Sequence, residues 1–177
     1  MFFSIATILN NDDCQRIMDI NPSIHEMIRE YRNPQDFFHF SWLVCEEMNT
    51  EKTINCLKNL CGQKLVFTVQ SGGIGIFPGK TPAITYVLVR NPVMTEIHSL
   101  IWGNCEKHLG KINMKYAPTR WLPHITLLHQ RMEPRRYYEF VEKCIENDVS
   151  FEIKVSNLSV IFKDESSAGM LFTCNLK

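Results

Sequence analysis

Trp121-Leu122-Pro123-His124-Ile125-Thr126-Leu127-Leu128 is the stretch on which the fold turns. From Pro123 onward large aliphatic and β-branched residues dominate and nothing breaks the run, which is the composition of a strand. Successive strand side chains point to opposite faces, so His124 and Thr126 share one face and Ile125 and Leu127 the other. Such a strand belongs to a sheet that buries one side and presents an imidazole and a hydroxyl on the other. An earlier stretch, Phe38-His39-Phe40-Ser41-Trp42-Leu43-Val44, has the same design, with His39 and Ser41 in the places of His124 and Thr126.

The two stretches are parts of a longer repeat. His124 follows His39 by 85 residues, Thr126 follows Ser41 by 85, and Ile161-Phe162 follows Ile76-Phe77 by 85. At the same offset residues 65–70 correspond to 150–155, and Tyr86–Val89 to Leu171–Cys174. Each half reads strand, helix, strand, loop, strand. Duplication of this kind implies two lobes related by a pseudo-twofold axis, placed around residues 37–90 and 122–176 of a single domain spanning 1–177. The expected fold is α+β and bilobal: two antiparallel-rich sheets face each other across a central groove, with helices outside. Equivalent strands would then bring both His-x-Ser/Thr faces onto that groove. The bland alternative is a pair of structural histidines that match by chance.

The intervening segments carry ordinary local signals. Phe2–Leu9 reads as a buried strand. Helices are expected from about Asp13 to Ile20, and from the capping box Ser23-Ile24-His25-Glu26 to Tyr31, after which Asn33-Pro34 turns the chain. Thr50 is expected to cap a helix with the stripe Thr53, Leu57, Leu60 and Cys61. Pro92 and Pro134 open two more helices. Ser71–Lys80, rich in glycine, and Lys111–Arg120 read as loops.

Composition sets bounds on function. The chain has 177 residues, 45% hydrophobic and 21% charged, in the range of soluble globular proteins. Lys plus Arg and Asp plus Glu number 19 each, which argues against a duplex-coating protein and leaves only a small or locally recognised nucleic-acid substrate. The apolar N-terminal stretch is too short to span a bilayer and lacks the charge of a signal peptide. Seven cysteines without a Cys-x-x-Cys pair suggest reduced thiols packed as small hydrophobes, and hence a cytoplasmic protein without a disulfide framework. No membrane partner is expected, and a monomer is.

Two imidazoles across a groove suit concerted acid–base chemistry near neutral pH. One takes a proton from an attacking water and the other gives a proton to the leaving oxygen. Two hydroxyls beside them suit the non-bridging oxygens of a phosphate. No carboxylate cluster with metal-ligand spacing stands near either motif, so neither metal nor cofactor is expected.

These paired motifs, half a chain apart in a duplicated α+β domain, resemble the two-histidine (2H) phosphoesterase superfamily. The similarity is greatest to its 2′-5′ RNA ligase and 2′,3′-cyclic nucleotide phosphodiesterase branch. The family pattern of His, apolar, Ser or Thr, apolar is matched by His39-Phe40-Ser41-Trp42 and His124-Ile125-Thr126-Leu127. Pro123 and Ile76-Phe77-Pro78 also look familial. The resemblance implies metal-independent cleavage of cyclic phosphates or 2′-linked phosphodiesters on RNA ends or small nucleotides. This chain departs from the family in carrying Ser41 where Thr is more usual. Where many relatives carry a basic residue shortly after the second motif, it has His129-Gln130-Arg131.

The site read from the sequence therefore has His39 and His124 as catalytic groups, with Ser41 and Thr126 as phosphate-oxygen donors. Trp121 either stacks a base or closes the groove, and Arg120 and Tyr116 are further candidates for substrate contact. His25 falls on a helix and His129 is out of phase with His124, so neither is assigned a role. His98, Cys105 and His108 fit an amphipathic helix better than a metal site. The leading function is hydrolysis of 2′,3′-cyclic phosphates on nucleotides or RNA ends. Alternatives are cleavage of 2′,5′-oligoadenylate or a cyclic oligonucleotide, RNA end-ligation, and a non-catalytic nucleotide- or RNA-binding module.

Overall fold

The computed structural model describes residues 1–19, 22–31, 37–145, 150–164 and 167–177. In chain order the elements are β1 (Phe2–Ile8), α1 (Asn11–Asp19), α2 (Pro22–Tyr31), β2 (His39–Met48), α3 (Thr50–Cys61), β3 (Phe67–Phe77) and β4 (Ala83–Leu88). They continue with α4 (Pro92–Cys105), β5 (Leu109–Ile112), β6 (His124–His129), α5 (Pro134–Ile145), β7 (Glu152–Val155), β8 (Asn157–Lys163) and β9 (Ala168–Asn175). The turn expected at Asn33-Pro34 and the Ser23 side chain of the capping box lie outside the described residues.

All described strand pairs are antiparallel, in the order β7-β3-β4-β6-β2-β1-β8-β9, with β5 on β2. The sheet curls into an α+β half-barrel, and the bilobal architecture expected from the repeat is present. Its midpoint is the junction of β2 with β6, where the one register pair is Phe40 with Ile125. Those two residues are 85 apart, so a residue pairs with its own repeat counterpart. The β3–β7 ladder behaves the same way. Phe67 pairs with Val155 and Gln70 with Glu152, while the offset of 85 matches Phe67 to Glu152 and Gln70 to Val155. Both ladders map onto themselves when the halves are exchanged, which is the register that a local twofold requires.

Four sequence expectations change. Tyr86–Val89 and Leu171–Cys174 do not occupy corresponding places, because β4 lies between β3 and β6 whereas β9 lies outside β8. The counterpart of β4 in the sheet is β1, between β2 and β8. The glycine-rich segment is not a loop but the second half of β3. Gly73, at φ +109, sits where the β3–β4 register shifts, and a Cβ on Gly75 would lie 2.7 Å from Val87 Cγ2. Glycine permits both the bulge and the close approach. Residues 109–112 form β5 and extend the edge of β2 through Cys45–Ile112 and Glu47–Gly110 pairs, a contact invisible to local pattern. The cap of α3 is Asn49, whose side chain accepts from the Lys52 amide at 3.1 Å, one residue before Thr50.

The cysteine expectation is also corrected in part. Cys61 at the end of α3 and Cys174 on β9 form a disulfide, with Cα atoms 6.3 Å apart. The pair is 113 residues apart in sequence, so spacing gave no hint of it. The remaining five cysteines are not in disulfides. Among the described residues no helix is long and apolar enough to cross a membrane.

The core lies between the sheet and its helices. Trp42, Phe40, Ile125 and Leu127, the apolar back of the two motif strands, are all fully buried. β2 has α4 against it, where His98 Nε2 donates to the Trp42 carbonyl at 3.0 Å, and β6 has α2 against it. The opposite face of β2 and β6 is left for the site.

Candidate active site

Period-two alternation sorts the motif residues as the sequence requires. His39, Ser41, His124 and Thr126 are half-buried, while the residues alternating with them are fully enclosed. With Phe40 opposite Ile125 in an antiparallel pair, His39 comes level with Thr126, and Ser41 with His124. The two histidines then occupy diagonal places, which in a regular ladder lie about 7–8 Å apart.

Both imidazoles are oriented by the same device. His39 Nδ1 lies 2.8 Å from the Phe37 carbonyl, and His124 Nδ1 lies 2.8 Å from the Leu122 carbonyl. In each case the acceptor is the carbonyl two residues upstream. A carbonyl can only accept, so each Nδ1 carries a hydrogen and each neutral ring has its lone pair on Nε2. Burial pulls the His124 pKa below its ordinary value, opposed by the bond to Leu122. The edge of its ring also meets Phe77 at 4.7 Å.

A cleft of about 650 Å³ opens beside the second motif. β6 contributes His124, Thr126 and His129. The segment before β6 contributes Lys115, Tyr116, Arg120 and Trp121, and the tip of the β3–β4 hairpin contributes Phe77 and Thr81. Among the described residues the lining holds the permanent cations Lys115 and Arg120 and no carboxylate. Among the described residues neither cation makes an ion pair, whereas Lys64, Lys111, Arg135 and Arg136 all do. A chain of zero net charge thus concentrates unneutralised positive charge in its cleft. His39 and Ser41 are not part of this lining; they lie across the Phe40–Ile125 pair.

The other sequence candidates separate. Arg120 is exposed on the cleft. Tyr116 also lines it, and its hydroxyl is hydrogen-bonded to Ser41, with burial pushing its pKa up. Ser41 Oγ accepts a second bond from Ser4 at 2.8 Å, so Ser4, Ser41 and Tyr116 form a line of hydroxyls running to the cleft. Trp121 is 3% exposed. Its indole stacks on His98 at 3.9 Å and on Trp42 at 5.2 Å, and its N–H donates to the Ser41 carbonyl at 2.9 Å. That position closes the wall of the groove and ties the two motifs together. His98 is fully buried in the same stack, and among the described residues no cluster of three or more metal-ligating side chains occurs.

Lys115, Phe77 and His129 were missed by sequence reasoning. Lys115 is next to a named candidate, and Phe77 lies in a motif noted only for its family likeness. Strand alternation puts His129 out of phase with His124, which holds only for an unbroken strand, and β6 shifts register against β4 before it reaches His129.

No family model matches the chain, and no curated protein matches it by sequence. Three-dimensional comparison does find chains of like fold. TT0787 of Thermus thermophilus superposes with a TM-score of 0.64 at 17% identity, covering 99% of this chain and 98% of that one. The fold is that of the two-histidine phosphoesterases. E. coli LigT in complex with 3′-AMP aligns at 0.57 and 15% identity over 98% and 97% of the two chains. A further phosphoesterase aligns at 0.56 and 14% identity over 98% and 97%. At these identities it is the two-histidine fold that is shared, and the chemistry of this chain has to be argued from its own residues.

Proposed function

We propose that this protein is a phosphodiesterase that hydrolyses 2′,3′-cyclic phosphates of nucleotides or RNA ends by two-histidine acid–base catalysis. The observation that carries the reading is the matched pair of imidazoles: same sheet face, same Nδ1 anchor, on strands joined at a repeat-equivalent pair. His124, whose neutral form burial favours, accepts a proton on Nε2 from the attacking water. The water oxygen bonds to phosphorus, the bond from phosphorus to one ribose oxygen breaks, and protonated His39 supplies that oxygen with a proton. A 2′- or 3′-monophosphate remains. Thr126 and Tyr116 donate to the non-bridging oxygens, Ser41 donates in turn to the Tyr116 oxygen, and Lys115 and Arg120 draw the anion into the cleft. Side chains take up and supply the protons and provide the hydrogen bonds to phosphate in this scheme, so it requires no metal. The binding of 3′-AMP by the like-folded LigT is in keeping with a nucleoside monophosphate product.

The length of the cleft favours a second reading. From His124 to His129 the strand runs no more than about 16 Å, long enough for a ligand with more than one phosphate. A 2′,5′-linked or cyclic oligonucleotide would use the same catalytic pair.

The test is a panel of nucleoside 2′,3′-cyclic phosphates, 2′,5′-oligoadenylate, a cyclic dinucleotide and a 3′,5′-linked control, assayed in EDTA. Turnover that survives chelation should fall by about 10²–10⁴ in both His39→Ala and His124→Ala. Full activity in either variant would exclude the mechanism. Tight binding without turnover of any member would make the protein a binding module.

A further inference from the structure

β1 is apolar on both sides of Ser4, and Ser4 is 8% exposed. A hydroxyl enclosed in this way needs a hydrogen-bond partner. Ser4 Oγ donates to Ser41 Oγ at 2.8 Å, and the other acceptor within its reach, the Ile5 carbonyl, is farther away at 3.2 Å. The β1–β2 ladder places the two serines together. Thr7 pairs with Phe40 and Ala6 with Ser41, but Ile5 pairs with Leu43 and Ser4 with Val44. Trp42 is passed over, a β-bulge that increases the local twist and leaves Trp42 and Leu43 both fully buried. Ser4 shares the groove face with Ala6 and lies diagonal to Ser41. The β4–β6 ladder has its bulge at the repeat-equivalent residue. Thr85 pairs with Thr126 and Ile84 with Leu128, so Leu127 is passed over, 85 residues after Trp42. The halves then differ. The counterpart of Ser4 on β4 is Ala83, which pairs with His129 as Ser4 pairs with Val44. Alanine has no hydroxyl, so the first motif has a serine behind it and the second has not.

Direction matters in a line of hydroxyls, because each has one hydrogen to give. Ser4 gives its hydrogen to Ser41, so Ser41 gives its own onward to the Tyr116 oxygen. Tyr116 then keeps its hydrogen for an acceptor in the cleft that it lines. Burial pushes the pKa of the phenol up, so that hydrogen is retained through the neutral range. Without a donor behind Ser41, the Tyr116 hydroxyl would turn inward to supply one. We propose that Ser4 is a positioning residue of the site: it fixes the direction of the Ser4–Ser41–Tyr116 line, so that Tyr116 presents its hydrogen to a phosphate oxygen of the substrate. This rests on the phosphoesterase reading above and adds how the first motif's hydroxyl acts on the anion. Ser41 lies outside the cleft lining and works through Tyr116, whereas Thr126 lines the cleft and acts directly. An anion in the cleft reinforces the same direction, since each bond in such a line polarises the next.

A double-mutant cycle tests this, because a residue that acts only through Tyr116 has no effect once the Tyr116 hydroxyl is gone. The cycle is read twice at neutral pH: as kcat/KM for adenosine 2′,3′-cyclic phosphate, and as Kd by calorimetry for adenosine 2′- and 3′-monophosphate, the two possible products. Ser4→Ala removes an oxygen and adds no atom, and circular dichroism checks that the protein is folded. It should lower kcat/KM and raise Kd about three- to fivefold, within the worth of one hydrogen bond. In the Tyr116→Phe protein the same substitution should change neither. Ser4→Thr keeps the hydroxyl and should stay close to the parent. With the parent active, no effect of Ser4→Ala, or an equal effect in the Tyr116→Phe protein, overturns the proposal and leaves the phosphoesterase reading intact. A loss in Ser4→Thr as large as in Ser4→Ala also overturns it, because the hydroxyl is then not what acts. If the parent neither turns over the cyclic phosphate nor binds either monophosphate, both readings fall.

Discussion

Replacing Trp121 by phenylalanine separates the two parts a groove tryptophan can play. The substitution keeps a flat apolar ring and removes only the indole N–H and the outer part of the bicycle. That N–H donates to the Ser41 carbonyl at 2.9 Å, joining the segment before β6 to the first motif strand. The ring is 3% exposed, lies nearly parallel to His98 at 3.9 Å, and has the Arg90 guanidinium 5.4 Å away. Losing a buried hydrogen bond whose acceptor stays enclosed costs about 1–3 kcal/mol. The void left by the smaller ring adds about 1 kcal/mol. A loss of about 3 kcal/mol in a chain of this size lowers Tm by about 6–12 °C. Thermal unfolding followed by circular dichroism measures this, alongside Kd for a nucleoside cyclic phosphate at a temperature where both proteins are folded. The expected result is a large drop in Tm with a small change in Kd. If Tm stays within about 2 °C of the parent while Kd rises tenfold, Trp121 is a base platform, and its assignment to the wall of the groove is wrong.

Three other outcomes follow from the same geometry. His98 is fully buried and its pKa is lowered to about 4, chiefly by burial, with the bond to Trp42 opposing. The unfolded chain therefore takes up this proton at a higher pH than the folded one. Stability from this group is complete above about pH 6.5 and should fall by about 3 kcal/mol as pH drops to about 4; denaturant titrations across that window should show a shallower slope for His98→Leu. In Gly75→Ala the new Cβ would press on Val87 Cγ2 at 2.7 Å and Thr85 Oγ1 at 3.1 Å, so unfolding free energy should decrease by about 1–3 kcal/mol; an unchanged midpoint in urea would show that the hairpin yields freely. Tyr116→Phe removes the hydroxyl that joins Ser41 to the cleft and should lower kcat/KM about five- to tenfold, the worth of one hydrogen bond; no change would remove Tyr116 from the donor set.

Much of the candidate site was legible in the linear chain, because strand alternation is a local property. Placing His39 with Ser41, and His124 with Thr126, on one face requires only that each stretch be a strand. The repeat then foretold that the two strands meet, and the pairing of Phe40 with Ile125 is that meeting. The amphipathic stripe of α3 was equally readable, with Thr53, Leu57, Leu60 and Cys61 all buried as the helical period demands.

What the sequence could not reveal depends on contacts between distant segments. A bulge exists only relative to a partner strand, so the parity of His129 was undefined until β4 lay beside β6. The glycine run became strand instead of loop because β4 approaches it too closely for a Cβ at Gly75. β5 is four residues long, too short to announce itself without the edge of β2, and the Cys61–Cys174 bond spans 113 residues. Even the fate of Trp121 was decided by what lay on its faces. Local chemistry determined which groups could do acid–base work on a phosphate. Only the tertiary packing decided that His129 faces the same cleft as His124, since one extra residue in a ladder turns a side chain around.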